Sequence, residues 1–156
     1  MTHILRFLEV FTLGTWLGAI LYLSFAVAPA AFSTLASPHE AGTLVGVILS
    51  RLHIYGCIAG VIYLLAAVAL GRSLAALARP AALGVILMLL LTVASQWWVR
   101  PQIERVRIQM GTVASAPADS PQRAEFNRLH VISVRLEGGI LLIGLVAMFL
   151  TVRSQK

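Results

Sequence analysis

Residues 42–70 of this chain read GTLVGVILSRLHIYGCIAGVIYLLAAVAL, and this stretch decides the fold class. It contains no acidic residue, and Arg51 and His53 are its only basic residues. About 20 helical residues cross a hydrocarbon core of about 30 Å, so the stretch is long enough to span a bilayer. No water reaches the backbone there, and a helix satisfies its hydrogen bonds internally. The sequence therefore predicts a membrane-spanning helix.

Three further apolar stretches flank this one, and each is long enough to cross a bilayer. The predicted spans are 4–32, 42–70, 80–99, with that helix continuing to about 108, and 122–152, which becomes strongly apolar from Val131. The small and polar residues 111–121 are expected to form a flexible loop. The sequence thus predicts one transmembrane domain over residues 1–156, an all-α bundle of four helices.

The composition agrees with a membrane protein. Hydrophobic residues make up 59% of the chain and charged residues 12%, against roughly 45–50% and about 25% in soluble domains. A soluble enzyme, a disulfide scaffold and a nucleic-acid module are therefore excluded. The net charge of +6 does not reverse this conclusion, because most basic residues lie at the ends of apolar runs, where they anchor in lipid headgroups. We expect the lipid bilayer as partner and no nucleic acid.

The membrane orientation is predicted from the first hairpin. Four spans place both termini on one side, and basic residues are divided equally between the two sides. Arg6 precedes the first hairpin, whose connecting loop contains no Lys or Arg. The positive-inside rule then favours cytoplasmic termini, and we expect a bacterial inner membrane.

Two short motifs recur along the chain and suggest an internal repeat. Arg51-Leu52-His53 returns 77 residues later as Arg128-Leu129-His130. Val27-Ala28-Pro29 returns 72 residues later as Val99-Arg100-Pro101. These matches predict two pseudo-symmetric helical hairpins with the same orientation, which is a parallel repeat.

The repeat would place His53 and His130 at similar depth, facing each other across the bundle. Two imidazoles from facing helices can ligate a haem iron or a soft or borderline metal ion, so haem b and a copper-type ion are the candidate cofactors. The other interpretation is structural: each imidazole hydrogen-bonds a neighbouring helix or a headgroup. Both interpretations remain open from the sequence.

Ionisable residues inside the spans form a second set of candidates. A charged side chain in the bilayer interior costs about 2.5–3.5 kcal/mol, so such residues should face the bundle or a wet cavity. Helical spacing puts His130, Ser133 and Glu137 on one face of the fourth helix. The predicted ligand-binding residues are Arg51, His53, Arg128, His130, Ser133, Arg135, Glu137, Glu9, Arg100 and Glu104. They form either a polar vestibule or interhelical ion pairs that only hold the bundle together.

Several short motifs together resemble a known family. They are Gly14-x-x-x-Gly18, Val27-Ala28-Pro29, Arg100-Pro101 and Phe126-x-x-x-His130-x-x-Ser133. The chain resembles an uncharacterised four-span membrane family whose human relative is called transmembrane protein 205. That family is distantly similar to copper-resistance D proteins and to HemJ-type membrane oxidases. The resemblance implies a four-helix membrane protein without an established reaction, and it draws attention to His53 and His130 as haem or copper ligands.

Two functions from different classes are compatible with these features. The first is a membrane protein that binds or transports a small ligand, with no catalytic residues and no hydrolytic chemistry. The second is a non-catalytic accessory subunit that packs against a larger membrane complex, since the chain is short and its helices are rich in glycine. The expected protein partner is therefore either a second copy, in a homodimer, or a larger membrane complex. A proton-handling or cation-handling channel that uses Glu9 and Glu137 is a third hypothesis.

Overall fold

The structure is a computed structural model that describes residues 2–110, 117 and 120–154. Its four long helices are α1 (Thr2–Thr34), α2 (Pro38–Gly71), α3 (Pro80–Met110) and α4 (Pro121–Ser154). Each is long and apolar enough to cross a membrane, and the described residues contain no strand. The predicted all-α membrane bundle is therefore confirmed. Most of the expected loop at 111–121 lies outside the described residues.

Short polar contacts define where the helices begin and end. The Ser37 hydroxyl accepts a hydrogen bond from the Glu40 amide at 3.2 Å, which caps the start of α2. Ser120 caps α4 in the same way, by accepting from the Arg123 amide at 3.3 Å. Helix α2 ends where Arg72 takes a left-handed conformation, with φ of 50°. A short 3₁₀-helix, Leu74–Ala78, then leads into α3.

The helices pack as an up-down-up-down bundle. Helix α1 packs against α2 and α4, and α3 packs against the same two helices, so α2 and α4 are diagonal neighbours. We call the side where α1 begins and α4 ends the terminal face, and the opposite side the loop face. The largest fully buried apolar side chains are Trp16, Leu13, Met88, Ile140 and Val85.

One close packing site fixes α1 against α2. Trp16 is 1% exposed and lies against Gly56 and Gly60 on α2. A Cβ atom on Gly56 would come within 2.8 Å of three atoms of the Trp16 ring. A Cβ atom on Gly18 or Gly46, in contrast, would meet no atom within 4 Å. Only some of the glycines therefore serve helix packing.

Two π-helical turns interrupt the spans, Leu23–Val27 in α1 and Ser95–Val99 in α3. Each turn ends two residues before a proline, Pro29 or Pro101, and the two turns are 72 residues apart. Proline lacks an N–H and clashes with the carbonyl four residues earlier, and a wider turn at that carbonyl relieves the clash. The offset equals that of the sequence motifs. The duplicated hairpin nevertheless remains a prediction.

The two hairpins differ at the loop face. Helices α1 and α2 stay apolar almost to their connection, whereas α3 from Arg100 to Met110 is polar and has no buried residue. Four apolar helices of this length place the chain in a lipid bilayer. The loop face therefore combines an apolar hairpin with a polar one. Cytoplasmic termini in a bacterial inner membrane remain a prediction.

Candidate functional site

A cavity of about 820 Å³ lies in the loop-face half of the bundle, and all four helices contribute to its wall. The cavity forms where α1 diverges from α4. The segment Thr2–Tyr22 of α1 packs against both α2 and α4, whereas its final segment, Ala28–Thr34, packs against α2. Phe25 on α1 and Val134 on α4 line the cavity and are 75% and 57% exposed, so the wall is least closed between these two helices. The cavity therefore opens sideways between α1 and α4.

The inner end of the cavity holds a pair of ionisable side chains. The Nε2 atom of His53 on α2 lies 2.5 Å from Oε1 of Glu137 on α4, so the contact crosses the bundle diagonal. The His53 side chain is 1% exposed and that of Glu137 is 15% exposed. Ser95 on α3 donates a longer hydrogen bond, of 3.4 Å, to the same carboxylate oxygen. Both side chains line the cavity, and Glu137 is the more exposed of the two.

A chain of hydrogen bonds connects this pair to an arginine nearer the loop face. The second ring nitrogen of His53, Nδ1, contacts Oε1 of Gln96 at 3.0 Å. The amide nitrogen of Gln96 donates to the Ser50 hydroxyl at 2.9 Å. The Arg100 guanidinium donates to the same hydroxyl at 2.6 Å. Hydrogen bonds therefore connect polar side chains of α2, α3 and α4, from Arg100 in the cavity wall to the buried His53 ring and on to Glu137.

The hydrogen-bond chain occupies both ring nitrogens of His53. The Gln96 amide nitrogen donates to Ser50, and the Gln96 oxygen faces His53 Nδ1. The other ring nitrogen, Nε2, faces the Glu137 carboxyl group. Each polar atom of this buried ring therefore has a partner, as burial in an apolar surrounding requires.

The structure separates the predicted site residues into two groups. The predicted residues that line the cavity are His53, His130, Ser133, Glu137, Arg100 and Glu104. Arg51, Arg128 and Arg135 are exposed and do not line it, and Arg128 pairs with Glu125 at 2.8 Å instead. The reason is helical geometry, because residues two positions apart point about 200° away from each other. When the histidines of the two motifs point inward, their arginines point outward.

The two histidines do not face each other. His130 is exposed and stacks on Phe126, with ring centroids 6.2 Å apart. His130 lies seven residues before Glu137 on α4, so it is about 10 Å nearer the loop face than Glu137 is. His53 meanwhile uses both ring nitrogens for Gln96 and Glu137. Among the described residues, no three His, Cys, Asp or Glu side chains come together as metal ligands, and a haem or copper site built on the two histidines remains a prediction.

Three further ionisable residues line the cavity and are not among the residues predicted from the sequence. His39 and Arg107 line the cavity, and His39 Nδ1 and Arg107 Nε are buried without a hydrogen-bond partner among the described residues. Arg123 on α4 also lines the cavity. No local motif marks these residues, because they meet only through the contact between the α1–α2 and α3–α4 hairpins.

Glu9 belongs to a different polar cluster near the terminal face. It is 5% exposed and, like Arg79, lies in the neighbourhood of the Tyr63 hydroxyl. Tyr63 also shares a hydrogen bond of 2.6 Å with Thr151, which ties α2 to α4 across the bundle. Glu9 is therefore separated from the cavity that contains Glu137.

The chain was compared with known proteins and families. Neither the curated proteins nor the solved structures give a match. The similarity to copper-resistance D and HemJ-type proteins is thus not confirmed, whereas the expectation of an uncharacterised family is. A model for a domain of unknown function, DUF4149, matches residues 11–112, and the chain therefore belongs to this family.

Proposed function

We propose that this membrane protein binds a small ligand in the loop-face cavity, either to hold it or to pass it on. The observation that carries the proposal is a cavity of about 820 Å³ with an ionisable pair, His53 and Glu137, at its inner end. Ligand pockets typically have volumes of about 300–1,000 Å³ and combine apolar walls with a few polar groups. The cavity has both properties.

The buried pair supports a role toward the contents of the cavity. An ionisable pair inside a bundle is a poor way to gain stability, because desolvation offsets much of the attraction between its members. Intramembrane ionisable residues mark functional positions more often than structural ones. Glu137 lines the cavity and is hydrogen-bonded to His53, so its carboxyl group can form hydrogen bonds with a ligand there. Of the paired Arg-Leu-His motifs, only the histidines line the cavity.

Filling the cavity tests the proposal. Gly46 and Gly138 both line the cavity, and a Cβ atom on either would meet no atom within 4 Å. Gly46→Leu and Gly138→Leu are therefore expected to occupy the cavity without disturbing the helices. Native mass spectrometry of the full chain, released from its membrane in mild detergent, should show a small molecule bound to the wild type. Both variants should have lost it.

The matched control is Gly18→Leu, because Gly18 has equally open surroundings but is exposed outside the cavity. This control should keep the bound molecule. Equal retention by the two cavity variants would contradict the proposal. An empty wild-type chain that leaves the membrane only within a larger assembly would favour the accessory subunit instead. A haem or copper ion in the bound mass would identify the ligand as a cofactor.

A further inference from the structure

The cavity has two chemically different walls. Helices α1 and α2 contribute mainly apolar side chains, among them Leu23, Phe25, Phe32, Val45 and Leu49. Helices α3 and α4 contribute most of its charged side chains, Arg100, Glu104, Arg107, Arg123 and Glu137. A ligand that satisfies both walls has an apolar side and a charged end. This contrast follows directly from the difference between the two hairpins at the loop face.

The charges at the loop-face end of the cavity, which we call its mouth, favour an anion. Among the described residues that line the cavity, three guanidinium groups, of Arg100, Arg107 and Arg123, stand against two carboxyl groups, of Glu104 at this end and Glu137 deeper in. Glu104 lies 3.7 Å from Arg107 and is largely exposed, so it neutralises that guanidinium only weakly. Guanidinium groups bind carboxylates and phosphates through paired hydrogen bonds. The mouth therefore carries a positive balance.

Two unpartnered polar atoms lie beside the same end of the cavity. Arg107 Nε and His39 Nδ1 are buried at the cavity wall without a hydrogen-bond partner among the described residues. Buried polar atoms in folded proteins normally have partners, since a missing one costs about 1–3 kcal/mol. Arg107 already reaches Thr43 with one of its terminal nitrogens, at 3.4 Å. The Nε atom is too buried to touch the contents of the cavity, so a headgroup would bind the terminal nitrogens of Arg107, whose side chain is 14% exposed.

The depth of the cavity matches the level of lipid headgroups. About 20 residues counted from the start of α3 at Pro80 reach Val99. Trp97 and Trp98, just before that point, are 59% and 70% exposed, as expected for aromatic residues at a membrane interface. Arg107 therefore lies at or just beyond the headgroup level. The side opening at Phe25 lies toward the hydrocarbon.

From these observations we infer that the ligand of the proposed cavity is a single-chain amphiphile with an anionic headgroup. Its carboxylate or phosphate binds Arg107 and Arg123, and its chain lies along the apolar α1–α2 wall. The chain enters through the opening between α1 and α4, in the plane of the bilayer. The inference rests on the proposed function and adds the chemical class of the ligand.

The test compares probes that share one chain and differ in headgroup. Palmitate, hexadecyl phosphate and hexadecanol are each titrated into the detergent-solubilised full chain, and binding is measured by native mass spectrometry. Both anionic probes should bind, and hexadecanol should bind about tenfold more weakly or worse, the loss that accompanies one missing charge-assisted hydrogen bond. The stronger of the two anionic probes identifies the headgroup as carboxylate or phosphate.

The double variant Arg107→Gln/Arg123→Gln assigns the effect to the mouth of the cavity. It should weaken binding of the anionic probes by about tenfold or more and leave hexadecanol binding unchanged. Arg105→Gln is the control, because Arg105 is exposed on the same helix and does not line the cavity. It should bind every probe as the wild type does.

Different failures separate the two proposals. Equal binding of hexadecanol and palmitate, with loss of both in Gly46→Leu, would overturn the anionic class while supporting the cavity as a binding site. Displacement of palmitate by inorganic phosphate alone would show that the chain is dispensable, which also overturns the amphiphile. Absence of binding by all three probes, together with an empty wild-type cavity, would overturn both proposals.

Discussion

Glu137→Leu should lower the free energy of unfolding by about 3 kcal/mol, the lower end of the range for breaking a buried ion pair. The leucine removes the partner of His53 Nε2, and His53 is 1% exposed, so water cannot replace that partner fully. The lower end applies because the Glu137 side chain is 15% exposed toward the cavity. Unfolding of the purified chain in mixed detergent micelles measures the loss.

Two further variants separate the charged pair from an ordinary hydrogen bond. A hydrogen bond between membrane helices contributes about 0.6 kcal/mol on average, so Glu137→Gln, whose amide group can still form a hydrogen bond with Nε2, should cost about 1 kcal/mol or less. The double variant His53→Phe/Glu137→Leu should cost clearly less than the sum of its two single variants, because neither partner is then left buried alone. A Glu137→Leu protein as stable as the wild type would show that the pair does not form.

Gly56→Ala should destabilise the bundle by about 2 kcal/mol or more, the range for overpacking a filled core. In an open helix position the same change stabilises by up to about 1 kcal/mol. Here the added methyl group overlaps the buried Trp16 ring, which is also held 3.1 Å from the Cβ position of Gly60. The ring therefore has no space into which it can move. Thermal unfolding in detergent measures the effect.

The control for this prediction is Gly18→Ala, because its added methyl group would meet no atom within 4 Å. It should be as stable as the wild type or slightly more stable. Shortening the obstructing side chain, in Trp16→Leu/Gly56→Ala, should restore part of the stability that Gly56→Ala loses. If Gly56→Ala instead raised the unfolding temperature as Gly18→Ala does, Trp16 would not pack on α2 as described.

The number and bounds of the helices can be predicted well from the sequence, because the features that determine them lie within each helix or at its ends. Apolar runs longer than a bilayer predict four helices, and the Ser37 cap identifies where α2 starts before a proline. The helix also continues through Pro101, since the π turn before that residue accommodates the ring. None of these features needs information about another helix.

The site can be predicted from the sequence only in part, because it depends on the register between neighbouring helices, that is, on which residues lie at the same depth. Residues seven positions apart share a helix face, so periodicity gives His130 and Glu137 the same direction and does not decide which of them meets His53. In the structure, the residue that contacts His53 is Glu137. Gln96 and Ser50, which connect His53 to Arg100, gain their roles only from that register. The sequence therefore predicts the faces of the site and not its pairing.

The most direct test of the central claim is to locate a bound amphiphile. Palmitate with a photoreactive group near the end of its chain, crosslinked in membranes, should label cavity residues such as Leu23, Phe32 and Leu49. Gly46→Leu should suppress that labelling, and Gly18→Leu should not. Labelling confined to exposed residues of the terminal-face half, such as Leu65 and Phe149, and unchanged by Gly46→Leu, would contradict the claim that this cavity binds a ligand.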